Sequence, residues 1–125
     1  MCLTTSQKWP KVAWRPITTY KVVYSPDYYP MFITLVQCFP ILIGNTYKEA
    51  LRNIFRSRKK FSKGYEIYCG LHSYTNEDFS KSIARCYEDH DTKVVECIIP
   101  RFSLYWVGDN SDIVSNKLKY VKILT

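Results

Sequence analysis

Between Ile17 and Leu124 the chain keeps returning to short runs of β-branched and aromatic residues, each broken by a glycine, proline or polar turn. The runs are ITTYKVVYS (17–25), MFITLVQCF (31–39), SKGYEIYCGLHSY (62–74), KVVECIIP (93–100), RFSLYWVG (101–108) and LKYVKIL (118–124). Residues of this kind fit a pleated, half-buried surface, and breaks of this kind favour hairpins over long crossovers. The run 93–100 is almost continuously apolar, which suits a strand covered on both faces. The run 118–124 instead sets Leu118, Tyr120, Val121 and Ile123 against Lys119 and Lys122, the pattern of a half-buried closing strand. Gly108-Asp109-Asn110 supplies a turn, and SDIVSNK (111–117) reads as a short helical turn.

Two stretches carry the helical period instead. Thr46 and Glu49 match a capping box, and Tyr47, Ala50, Leu51, Ile54, Phe55 and Arg58 follow on one face, predicting a helix over about 47–59. Thr75 and Asp78 open a second one, with Phe79, Ile83, Cys86 and Tyr87 as its apolar stripe, over about 76–88. The expected fold is α+β: a single domain over 1–125, a curved and mainly antiparallel sheet, and two main helices. Residues 1–16 form an N-terminal arm, which Trp9 and Trp14 are expected to pin onto the domain.

Bulk properties narrow the function classes. A chain of 125 residues that is 46% hydrophobic can bury a core of its own. Five widely spaced cysteines (Cys2, Cys38, Cys69, Cys86 and Cys97) form no C-x-x-C unit and suggest reduced, mostly buried thiols. The two histidines stand eighteen residues apart, so no metal site is expected. Neither glycine-rich phosphate loop occurs, and no cofactor is implied. The N-terminal residues lack a signal-peptide pattern, and Pro40 interrupts the longest apolar run, 31–43, so no membrane partner is expected.

The formal charge of +7 leaves room for an anionic partner. Arg52, Arg56, Arg58, Lys59 and Lys60 stand against Glu49 alone and are the candidates for contacting phosphates or nucleic acid. A solvated helix face is the favoured reading of that block. Tyr28 and Tyr29 in SPDYYP are read as covering a sheet edge rather than stacking on bases.

His72, in CGLHSY (69–74), is the one weak catalytic candidate. Cys69 lies three residues before it, and that spacing in a strand sends the two side chains to opposite faces, unless Gly70 introduces a bulge. The plain reading of His72 is a strand-end imidazole bonded to nearby backbone or to Thr75. The sharper one is a ligand contact, with Ser73 and Tyr74 at the mouth of the same cleft. His90, in EDHD, reads as a solvated loop residue.

Taken together, YKVV (20–23), IGNTYK (43–48), GLHSY (70–74), VVECIIP (94–100) and SNKLKYVKIL (115–124) resemble a family of small uncharacterised proteins of gut Bacteroidota and their phages. The resemblance runs from Tyr20 onward, with Leu71 where phenylalanine is more usual. It implies a fold order and a cytoplasmic place in a bacterial host, and no mechanism. GYEIYCGLHSYTNEDFSKSIARCY also resembles the strand-then-helix segment of ADP-ribosyltransferases. That likeness would put Tyr20 and Lys21 at the NAD-binding position of the first strand, where the family carries Arg or His. Glu96 falls on a core strand rather than on the catalytic one, so both anchors of the chemistry are missing.

Three readings follow. The first is a non-enzymatic binding or interaction protein whose partner is a protein or a small anionic ligand. The second is an ADP-ribosyltransferase-like nucleotide-binding protein or enzyme using Tyr20, Lys21, His72, Ser73 and Tyr74. The third is a nucleic-acid binder working through the basic segment 48–63.

Overall fold

The computed structural model describes residues 3–5, 7, 9–24, 32–34, 40–49, 59–61, 64–67, 70–86 and 92–124. Within them the chain begins with β1 (Leu3–Thr5), β2 (Lys11–Val12), β3 (Ile17–Tyr24), β4 (Phe32–Thr34), β5 (Pro40–Ile41) and β6 (Thr46–Lys48). It continues with β7 (Lys59–Phe61), β8 (Gly64–Ile67), β9 (Leu71–Tyr74) and the helix α1 (Glu77–Arg85). The last strands are β10 (Thr92–Ile99), β11 (Leu104–Val107), β12 (Asp112–Ser115) and β13 (Lys117–Ile123).

These strands make two sheets, antiparallel at every pairing among the described residues. The larger runs β2-β11-β12-β9-β3-β10-β13-β6, with the β4–β5 hairpin attached to β3. The smaller runs β1-β8-β7. At the centre, β3 and β10 pair over eight residues from Thr92↔Tyr24 to Ile99↔Ile17.

The large sheet buries its inner face. Val23, Val95, Cys97, Ile99, Ile113, Leu118 and Tyr120 form one buried cluster with Ile41 and with Ala13, which lies beside the edge strand β2. Tyr47, from the opposite edge strand β6, packs on that same cluster, its ring edge-on to Tyr120 at 5.5 Å. The pairing of β10 with β13 shifts register between Glu96 and Cys97, an irregularity of the kind that kinks a strand locally. The outer face carries α1, which lies against β3, β10 and β9, and the small sheet, joined through Leu3, Ile67, Trp106 and Val114.

The expectation of two main helices is corrected. Among the described residues only the second is found: α1 over 77–85, with 87–88 outside the described residues. The helix expected at 47–59 begins and ends in strands, since Tyr47 and Lys48 lie in β6 and Lys59 in β7; residues 50–58 lie outside the described set. The reason is tertiary. Leu118 of β13 pairs with Tyr47, and the turn at Gly44 (φ 96°) ties to Tyr120 through Gly44 N–H and Asn45 O. The Tyr47 hydroxyl also accepts from Leu42 N at 2.8 Å. Pairing with an otherwise open strand edge outweighs a helical period worth a few tenths of a kcal/mol per residue.

Smaller expectations also change. Asn76 caps α1, accepting from Phe79 N at 3.0 Å, while the Thr75 hydroxyl donates to Ser111 O. The fully buried residue of α1 is Ser80, and Phe79 and Cys86 of the expected apolar stripe are exposed. The segment 111–117 is strand rather than helical turn, because β12 is paired on both sides, by β11 and β9. Trp9 and Trp14 are 60% and 69% exposed, while Leu3 and Ala13 of the arm are buried.

Candidate functional site

The residues singled out in sequence converge on β3 and β9, which pair at Tyr20↔Tyr74. Gly70 (φ 109°) is where the chain leaves the small sheet and enters the large one, so β9 does not continue β8. Strand alternation then divides the five ligand candidates. Tyr20, His72 and Tyr74 face outward toward α1, whereas Lys21 and Ser73 face the inner core.

His72 is packed rather than presented. It is buried, pairs with Val114 across the sheet, and neither ring nitrogen has a hydrogen-bond partner. The expected bond to Thr75 is absent, since that hydroxyl is spent on Ser111. Burial, helped by the nearby Lys21 ammonium, pushes the imidazole down to about 3, so it is neutral at ordinary pH. On the same outer face, Asp112 stands opposite Tyr74, and its Oδ1 is buried without a partner. Imidazole and carboxylate are thus diagonal neighbours that do not bond to one another. Tyr74 lies edge-on to Phe79 of α1 at 5.3 Å. The Tyr20 hydroxyl is raised by burial and by the carboxylates of Glu77 and Glu96.

The inner face holds a second polar group. The Lys21 ammonium donates to the backbone carbonyl of His72 at 2.6 Å, and Val95 is its direct partner on β10. Burial lowers it to about 8. Cys97, opposite Thr19, is pushed up to about 12 by burial despite the ammonium, which keeps it a thiol and not a nucleophilic thiolate. Thr19 Oγ1 and Ser73 Oγ are buried there without partners.

Sequence reasoning did not single out Thr19, Cys97 or Asp112. For Thr19 a signal existed: Ile17, Thr19, Lys21 and Val23 share one side of a strand, so an inward lysine brings an inward threonine with it. For Asp112 none did, because its segment reads as a turn.

Lys21 carries a testable cost. Its folded value lies below the unfolded one, so the penalty for charged burial is complete below pH 8 and is relieved as pH rises toward 10.5. Between pH 7.5 and 9 the stability is expected to rise by about 1 kcal/mol. Above that, Cys97 and Tyr120, both raised by burial, ionise more readily in the unfolded chain and reverse the trend. Urea titrations across this range should show a maximum near pH 9 that Lys21→Met removes, with a gain of about 1–2 kcal/mol at pH 7. A variant that keeps the rise would show that another group causes it.

Of the basic set, only the backbone positions of Lys59 and Lys60 fall within the described residues. Lys59 and Lys60 belong to strand β7, and Arg52, Arg56 and Arg58 lie outside the described residues, as do Cys69, Tyr28, Tyr29 and His90. A surface depression at the last turn of α1 is lined by Lys81, Ala84, Arg85, Thr92 and Val94, none of them among the sequence candidates. Among the described residues no three His, Cys, Asp or Glu side chains group as a metal site, and no helix is long and apolar enough to cross a membrane. Comparison of the chain with protein-family models, with curated proteins and with solved structures finds no match.

Proposed function

We propose that the chain is a binding or interaction protein without catalytic activity, acting through its surface. The observation that carries this reading is the division of the candidate residues by the sheet. His72 lies in packed interior on one side, Lys21 and Ser73 lie on the other, and a catalytic group must bring base, nucleophile and stabilising donors to one shared point. An imidazole held near pKa 3 is also a poor general base at neutral pH.

The test is a thermal-shift series with NAD, ADP-ribose and cyclic nucleotides at millimolar concentration. A ligand present at a hundred times its Kd would stabilise by about 2.7 kcal/mol and raise the melting temperature by several degrees. No shift is expected from any of them. A concentration-dependent rise that Lys21→Met abolishes would replace this reading with the nucleotide-binding one. A salt-sensitive gel shift with nucleic acid would replace it with the third.

A further inference from the structure

Phe102 is a bulky residue at φ 71°, in the left-handed region that glycine and asparagine enter with little strain. Its side chain is also 60% exposed, so the fold gains little from burying it. Strain and exposure together disfavour a phenylalanine here on grounds of stability, and such outliers gather at sites that contact something.

The turn is held firmly in place. Phe102 N donates to Ala13 O at 2.6 Å, Ala13 N to Ser103 O at 2.9 Å, and Ser103 N to Pro100 O at 3.1 Å. Ala13 and Ser103 are both buried, so this ladder fixes the two side chains that flank it on the surface. Trp14, 69% exposed, stands edge-to-face with Phe102, with ring centroids 6.1 Å apart and planes at 89°. The Arg101 guanidinium lies over the Phe102 ring at 4.6 Å, and exposed Arg15 follows Trp14. The exposed parts of the two rings come to roughly 250–300 Å² of rigid aromatic surface.

We propose that Trp14 and Phe102, flanked by Arg15 and Arg101, are the docking surface for an acidic segment of a partner protein that also carries a large apolar side chain. This rests on the binding reading given above and names the surface it uses. Tryptophan and arginine dominate interface hot spots, and rings pre-fixed by backbone bonds lose little entropy on binding. Charge selects the partner's sign: the segments 10–16 and 100–104 carry Lys11, Arg15 and Arg101 and no acidic residue. The same charge opposes a second copy of this chain, which would set like charges face to face. Single-stranded nucleic acid fits less well. Bases need open ring faces in series, whereas here the rings are perpendicular and Arg101 already covers one face of Phe102.

The test selects peptides from a displayed random library on the full chain and measures their affinity by fluorescence anisotropy. Selected sequences should combine Asp or Glu with a large apolar residue, and both Phe102→Asn and Trp14→Ser should weaken their binding at least tenfold. Phe102→Asn should melt no lower than the parent chain, which separates lost contact from lost fold. Peptides that bind all three chains equally overturn this surface while leaving the interaction reading standing. Failure to select any peptide, basic selected sequences, competition by oligo-dT, or concentration-dependent self-association that Trp14→Ser abolishes each overturn the proposal.

Discussion

Acidification from pH 7 to pH 5 is expected to remove about 2 kcal/mol of stability through His72 alone. Its folded value of about 3 lies well below the ordinary histidine value of 6.5. The unfolded chain therefore binds a proton across that window and the folded chain does not. The contribution is whole above pH 6.5 and is lost progressively as the pH falls toward 3. Most carboxylates titrate below pH 5, so the upper part of the acid limb isolates histidine. The other histidine, His90, is replaced by glutamine in both chains compared, which leaves His72 as the variable. His72→Leu should flatten the limb between pH 7 and 5. At pH 7 it should cost less than about 1 kcal/mol or stabilise, because it removes two buried nitrogens that have no partners. If the flattened limb came with a collapse of stability at pH 7, the ring would be making a bond that holds the sheet together. If the limb kept its slope, His72 would not be the proton acceptor.

What could be read from the sequence divides along physical lines. The strands with strong alternation or continuous apolar character were legible: 17–24, 92–99 and 117–123 appear close to where their patterns put them. In them the local preference of the residues and the needs of the sheet agree. Around Tyr47 the two disagree. A capping box and an apolar stripe favour a helix, but β13 offers unpaired backbone groups that only its strand neighbour can satisfy, and that neighbour is distant in sequence. The segment 111–117 misled for a related reason. Its polar ends read as a turn, while Ile113 and Val114 are buried on opposite faces of a strand paired on both sides. For the candidate site, alternation along β9 sets Ser73 opposite in facing to His72 and Tyr74, although the sequence expectation put Ser73 and Tyr74 at one cleft with His72. The depth of His72 was not legible, because it depends on what α1 and the small sheet lay over the outer face. Nor was the exposure of Trp14, since composition alone says that tryptophan tends to be buried.

Replacing Trp106 with alanine is expected to cost about 4 kcal/mol, a large share of the stability of a chain this size. Trp106 is fully buried and is the largest member of the cluster that joins the small sheet to the large one through Leu3, Ile67 and Val114. Around that junction the Thr5 hydroxyl donates to Val107 O at 2.6 Å, and the Gln7 side chain bonds to Tyr105 O and Val107 N. The loss should therefore be uneven. In urea, the midpoint should fall by about 2 M at an unchanged slope of about 2 kcal/mol/M. In native-state hydrogen exchange, the amides of β1 should lose protection before those of β3 and β10, which keep the inner core. Val95→Ala supplies the contrast, because Val95 belongs to that inner cluster and its truncation should lower protection across β3 and β10 as well. Uniform loss in both variants would mean that the two sheets unfold as one unit, and that Trp106 serves the whole core rather than the junction.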